Sequence, residues 1–334
     1  MEDNNFGTRD KRGFWKPNEI IKYSPLLNYP IRLLKILTWL LLYPGYLLPW
    51  GLFFIVLSSL LWMYLTPPLE TLKNFDLQWI LFIFFRNLIL ISVLWGILHF
   101  RLYYKQKQKN KFKYNGQFPN KKNKIFLFKK QIFDNIFWSL CSGVTVWTAY
   151  ECFALWSYAN NFIPSITWEE HPIYFIILTI FIVNIWHEIH FYFTHRLIHW
   201  KPLYKAVHAL HHKNTNPGPW SGISMHPIEH IIYFSGVLIY FIIPVHPFHI
   251  IFHLAKFAIG PGLSHSGFHK LSLGKKTVVN TKHYLHYLHH RYFECNYGAG
   301  LDGSVLPLDK WFGTFHDGSE EAQKKMMDKI RESD

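Results

Sequence analysis

Cysteine is scarce in this chain. Cys141, Cys152 and Cys295 are odd in number and far apart, so they cannot build a disulfide framework. No CxxC or CxxCH occurs, which excludes a zinc ribbon and covalently attached haem. The working parts are therefore expected to face a reducing compartment. Charge is sparse too, at 17% of residues, and acids are the minority: 21 Asp and Glu against 35 Lys and Arg, a formal net charge of +14. The first 30 residues lack a short apolar core followed by a small-residue cleavage site, so membrane targeting is expected to come from internal segments. What the chain has in quantity is apolar surface. Half of its 334 residues are hydrophobic and 19% are aromatic, which excludes a disordered, collagen-like or low-complexity protein.

A mean hydropathy of +0.03 hides two unlike parts, since long apolar runs alternate with stretches that are basic or dense in histidine. A membrane span needs about 20 mostly apolar residues to cross roughly 30 Å of hydrocarbon. Residues 31–66, 78–100, 133–158 and 172–193 meet that requirement. The first is interrupted by Pro44, Gly45 and Pro49, and reads either as one kinked helix or as a re-entrant turn followed by a span. A fifth stretch, 231–262, is split at Pro244 and Pro247 and is expected to form a shallow hairpin that returns to the side it left. Arg86 falls inside the second span, where a charge costs about 2.5–3.5 kcal/mol on insertion scales. It is expected to pair within the bundle or to snorkel.

Loop charges set an orientation. The 101–130 loop carries eleven Lys/Arg and no acid, and the tail up to residue 35 carries seven Lys/Arg, whereas 159–171 has two Glu and no base. By the positive-inside rule the tail and the 101–130 loop are cytosolic and the 67–76 and 159–171 loops lie opposite, as four crossings require. Everything after about residue 195 is then cytosolic. A basic cluster between two spans serves topology and lipid headgroups, so no nucleic-acid partner is expected.

Nineteen of the 21 histidines lie between His187 and His316. His195 and His199 in HRLIH, and His265 and His269 in HSGFH, are i, i+4 pairs. His208, His211 and His212 in HALHH, and His286, His289 and His290 in HYLHH, are i, i+3, i+4 triples. On a helix each set shares one face. Imidazole binds iron, zinc and copper, and ten such ligands suit two metals with about five nitrogens each, leaving positions for oxygen or water. His187, His190, His226, His230 and His283 lie near the boxes but outside the repeated pattern. His246, His249, His253 and His316 read as ordinary histidines. Two hydrolase motifs compete. HEIH at 187–190 is one residue short of HExxH and fails, whereas HPIEH at 226–230 satisfies HxxEH and could place two zinc ligands and a base on one helix, as in a zinc-dependent membrane hydrolase. That reading leaves the other boxes unexplained.

These boxes in this order, with HPIE at 226–229 and HYLHHRYFECNYG at 286–298, make the chain resemble the fatty acid hydroxylase and sterol desaturase superfamily of membrane di-iron oxygenases. The resemblance spans roughly residues 130–316 and is greatest to its sterol C5-desaturase and sterol C4-methyl oxidase branches. It implies an all-α fold, a four-helix membrane bundle under a cytosolic helical cap that holds the metals. It also implies two iron ions with His195, His199, His208, His211, His212, His265, His269, His286, His289 and His290 as ligands, and O2 as co-substrate. Electrons would come from a separate donor such as cytochrome b5 or a ferredoxin-type protein, since no HPGG haem signature occurs.

The activity implied is desaturation or hydroxylation of a membrane lipid, most simply a sterol. Fatty acid or sphingolipid hydroxylation and sterol C4-methyl oxidation are the alternatives. The setting implied is a multi-pass membrane protein, of the endoplasmic reticulum if eukaryotic or the inner membrane if bacterial. An all-histidine shell needs nearby carboxylates to orient its rings, and Glu188, Glu229 and Glu294 are the acids closest to the boxes. Glu229 is expected at the reacting centre, with Asn296 and Tyr297 shaping it. The domain layout read from these features is a tail at 1–30, membrane helices and the basic loop at 31–130, a catalytic domain at 131–316 and a charged tail at 317–334.

Overall fold

A computed structural model describes residues 3–18, 24–274, 277–281, 283–298 and 305–333. The chain is all-α in character, 62% helical, with only two short antiparallel hairpins among the described residues: β1 (Gly7–Arg9) with β2 (Trp15–Pro17), and β3 (Lys270–Leu273) with β4 (Thr277–Asn280).

The stretch expected at 31–66 is two helices, α1 (Leu33–Leu41) and α2 (Leu47–Tyr64), with the chain turning between them. At about 14 Å, α1 is too short to cross. Gly45 sits in that turn because a Cβ there would lie 2.1 Å from the Leu42 carbonyl oxygen. Among the described residues three helices are long and apolar enough to span a membrane: α2, α3 (Leu77–Tyr104) and a later one, α5 (Pro172–Ile198). Asp76 starts α3 by accepting from the Gln78 amide at 2.7 Å, and Pro172 at the first turn starts α5. Twenty-seven residues make α5 about 40 Å long, some 10 Å more than the hydrocarbon is thick, and His195 lies in its last turn.

Between α3 and α5 lies α4, helical throughout 131–159, where sequence placed a span at 133–158. It does not belong to the apolar class because its inner face is polar: Asn135, Ser139, Thr148 and Glu151 are buried. Each is answered from a neighbouring segment. Asn135 bonds Asn214, Ser139 bonds the Trp220 carbonyl, and Glu151 and Thr148 meet Arg86 and Asn87 of α3. Arg86 thus pairs inside the bundle, and its guanidinium also reaches the Leu65 carbonyl at the end of α2.

The expected shallow hairpin is deep. Its arms are α7 (Pro227–Phe241) and α8 (Pro247–Ser264), separated from α5 by a helical segment, α6, at 201–212. The turn between them reaches the far end of the bundle, where Val245 accepts from the Ile166 amide and donates to the Pro164 carbonyl, both in the 159–171 loop. Prolines 244 and 247 end and begin helices there rather than shortening the excursion. Thirteen residues of α8 are buried, from Pro247 to Gly262, so it is the central helix of the bundle, apolar nearly all round.

At the other end the basic tail, the basic loop and the cap are one body. Trp15, Phe112, Tyr114, Tyr284, Leu285, Tyr287 and Leu288 form a single buried cluster, with Trp15 donating to the Tyr114 carbonyl and His269 to the Phe112 carbonyl. The C-terminal helix α10 (Glu320–Ser333) follows α9 (Tyr284–Tyr292) and joins the same end through His316 and Gln323. Protease sites placed near residue 122 and near residue 325 are therefore expected to be cut from one and the same face of sealed vesicles. Cutting from opposite faces would overturn this arrangement.

Candidate metal centre

Four pieces of chain converge at the cap end. The end of α5 brings His195 and His199, and α6 brings His208, His211 and His212. The end of α8 brings His265, and α9 brings His286, His289 and His290. The rings sort into two buried groups. Ligand atoms of His195, His199, His208, His212 and His289 lie within 4.8 Å of one another, and so do those of His211, His265, His286 and His290.

His269 belongs to neither group. The i, i+4 expectation for HSGFH assumed a helix, but α8 ends at Ser264 and Gly267 adopts a φ of +78°. The chain turns, and the His269 ring faces Trp15 at 5.2 Å and the Tyr114 hydroxyl at 3.2 Å. Ten expected ligands thus become nine, five and four.

The outward nitrogens explain the inward ones. Nδ1 of His195 donates to the Tyr297 carbonyl at 2.8 Å, Nδ1 of His289 to the Cys295 carbonyl at 2.7 Å, and Nδ1 of His265 to the Pro261 carbonyl at 2.9 Å. Nδ1 of His211 points to the Ser224 carbonyl at 3.3 Å. A carbonyl only accepts, so each of these rings carries its proton on Nδ1 and a bare lone pair on Nε2. The lone pairs of His265 and His211 face each other, Nε2 to Nε2 at 3.3 Å, and that of His289 faces His212 Nε2 at 3.0 Å. His208 Nε2 is buried with no hydrogen-bond partner among the described residues. Burial first, and neighbouring imidazoles second, hold His208, His211, His212, His289 and His290 well below the usual imidazole range, and burial holds His265 at about 4. Protonation cannot relieve lone pairs that converge in such a setting; a divalent cation can.

Of the expected acids, Glu229 stands where the distal proton of a ligand ring would be held. Its Oε1 is 2.7 Å from His208 Nδ1, both side chains are buried, and it lines the cavity described below. Glu188 accepts from the Val305 and Leu306 amides, fastening that segment to α5. Glu294 accepts from the Tyr297 hydroxyl at 2.7 Å.

Asn296 and Tyr297 do not line the cavity. Asn296, at a φ of +52°, ties the Leu285 and His316 backbones together. Tyr297 acts through its carbonyl on His195 and lays its ring 4.9 Å from that of His199. Both are positioning residues. Asp309, which no spacing in the sequence marks, holds that turn by accepting from the Tyr297 and Gly298 amides at 2.8 and 3.0 Å.

The hydrolase motif has no geometry to support it. His226 caps α7 by accepting from the Ile228 amide, while both ring nitrogens of His230 are engaged, by Ser142 and by the Ile223 carbonyl. The two histidines serve different atoms and share no site.

A cavity runs from the histidines into the bundle along α5, from Ile198 to Thr179. Its walls are mostly apolar, with Phe191, Tyr233 and Phe252 on one side and Trp50 and Phe54 of α2 on the other, and His195, His211 and His286 at its head. Apolar walls of this kind suit an apolar ligand and disfavour water.

Residues 180–314 match the family model for fatty acid hydroxylase. The chain is 30% identical over 184 residues to a Delta(7)-sterol-C5(6)-desaturase of Nicotiana tabacum, covering 54% of this chain and 60% of that one. To a Delta(7)-sterol 5(6)-desaturase of Gibberella zeae it is 28% identical over 131 residues, 39% and 40% of the two chains. To methylsterol monooxygenase 1 of Gallus gallus it is 33% identical over 82 residues, 22% and 26% of the two chains. The chain thus spans about three fifths or less of the length of these relatives. No solved structure matches it significantly.

Proposed function

We propose that this chain, which carries a domain of the fatty acid hydroxylase and sterol desaturase superfamily over residues 180–314, is a membrane oxidoreductase that removes hydrogen from, or inserts oxygen into, a sterol. Ring desaturation of the C5 type is the reaction its desaturase relatives favour. One observation carries the reading: two groups of bare imidazole lone pairs stand at the head of an apolar cavity that a membrane lipid can fill. Two iron ions held by the nine clustered histidines would supply O2-dependent oxidation of an unactivated C–H bond, with electrons from a separate donor protein.

The chain's own residues prepare that chemistry. The carbonyls of Tyr297, Cys295 and Pro261, and the carboxylate of Glu229, engage Nδ1 of His195, His289, His265 and His208, so these four rings present Nε2 inward. The aromatic walls hold the lipid and keep water away from the reacting carbon. The tail, the 101–130 loop and the cap face the cytosol in this reading, where an electron donor can reach them.

Expression in a sterol-auxotroph membrane, followed by lipid mass spectrometry, tests the proposal. A product two mass units lighter marks desaturation, and one sixteen heavier marks hydroxylation. Unchanged lipids, with the protein abundant in the membrane and loaded with metal, would overturn it.

A further inference from the structure

The metal-bearing domain does not complete the substrate cavity by itself. One wall comes from the elbow between α1 and α2: Tyr46, Leu47, Trp50, Gly51, Phe54 and Ile55 all line it, and all lie outside the matched stretch 180–314. Trp50, Gly51, Phe54 and Ile55 make a single stripe along the first turns of α2, at the helical spacing that puts one face toward the cavity, and Tyr46 and Leu47 precede them across a kink at Leu48. The opposite face turns outward, with Leu52 and Val56 about half exposed. A single helix therefore separates the cavity from its surroundings here.

Trp50 is the first residue of that stripe and is tied to the cap. Its indole N–H donates to the Asn280 carbonyl at 2.8 Å, on the cap hairpin β3–β4, immediately before Thr281, which itself lines the cavity. Its ring packs against the cluster of Leu102, Phe268 and Leu271, as does Leu263, which precedes Ser264 and His265 and also lines the cavity. One turn deeper, Phe54 rests on Gly260 of α8, where even a methyl group would stand 3.8 Å from the Phe54 ring. The elbow is pinned as a unit. Tyr43 donates to the Val278 carbonyl at 3.0 Å and Tyr46 to the Ile180 carbonyl at 2.7 Å, so the wall is fixed to both the cap and α5.

We infer that Trp50 is a specificity-determining residue, the wall that limits how much bulk a lipid can carry next to the carbon that is oxidised. The inference rests on the reading of the cavity as a sterol site. Apolar pockets discriminate by the space they deny, and one methyl or methylene is worth about 10–200-fold. An indole held by a hydrogen bond to the cap is a fixed wall. A flexible aliphatic side chain at this position would yield.

The probe is a pair of sterols identical except for two methyl groups at carbon 4 of ring A. Relative affinity is read on the full-length protein in nanodiscs by displacement of a fluorescent sterol, and relative turnover is read alongside it. Trp50→Ala is expected to shift both ratios toward the dimethyl sterol by roughly tenfold or more. Trp50→Phe, which keeps a ring but loses the bond to Asn280, is expected to shift them only a few-fold. If Trp50→Ala does not fold, Trp50→Leu reads the same ratios. Ratios within twofold of wild type in the folded small-residue variant would overturn the inference. Wild-type protein that binds both sterols and oxidises neither would instead count against the proposed activity, while the affinity ratio would still decide the role of Trp50.

Discussion

Replacing His289 with Ala is expected to abolish lipid oxidation and to lower the bound metal from about two ions per chain toward one, with the protein still folded in the membrane. His289 is fully buried, it is the middle histidine of the three in HYLHH, and three neighbours fix its position: the Cys295 carbonyl on Nδ1, His212 Nε2 at 3.0 Å, and the His195 ring at 4.4 Å. It belongs to the five-membered group, so its loss leaves four imidazoles there and a gap on the side facing α9. Tyr297 lies beside that gap with its ring centroid 5.7 Å from that of His289, but its hydroxyl is engaged by Glu294.

The fold should survive because the large apolar core, from Phe54 through Trp147 to Ile259, lies in the bundle and not under the cap. His253 looks from sequence like a neutral control, but it is buried and its Nδ1 is 2.9 Å from the Tyr240 hydroxyl. His171 is exposed and is the better choice, so His171→Ala should behave as wild type. Near-normal oxidation by His289→Ala at equal abundance would refute the two-metal reading of this group.

How much of this was legible in the sequence depended on whether a pattern survived folding. The triples at 208–212 and 286–290 were readable because both segments are helical, so i, i+3, i+4 spacing became a shared face. The pair at 265–269 has the same spacing, but the helix stops one residue before it, and Gly267 was the only local sign of the turn. The hairpin was misjudged for a related reason. Pro244 and Pro247 mark a break, but depth is set by what the break touches, here the Pro164 carbonyl and the Ile166 amide, 79 and more residues earlier in the chain. The groups that fix the tautomers, among them the carbonyls of Tyr297, Cys295, Ser224 and Pro261, were invisible because every residue has a carbonyl and only the fold aims it. Trp50 was hidden likewise, since the first 130 residues carry no motif and their part in the cavity exists only through packing.

Glu229 tests whether orientation of the rings matters as much as their number. Among the described residues its carboxylate is the one side-chain acid that reaches a ring of the clusters through an outward nitrogen, at 2.7 Å from His208 Nδ1, and α7 delivers it from its first turn. Glu229→Ala would leave that N–H buried without an acceptor, at a cost of about 1–3 kcal/mol, and would let the ring turn or exchange its proton to the other nitrogen. Either change turns the His208 lone pair away from the group, so metal affinity and activity are expected to fall about 10–100-fold. Glu229→Gln keeps a carbonyl oxygen able to accept from Nδ1 but removes the negative charge, and is expected to recover most of that loss. Chelator competition reads the metal affinity independently of turnover. If Glu229→Ala and Glu229→Gln bound metal equally well and as tightly as wild type, the carboxylate would not orient His208. If both lost affinity to the same degree, its charge rather than its hydrogen bond would be what the ring requires.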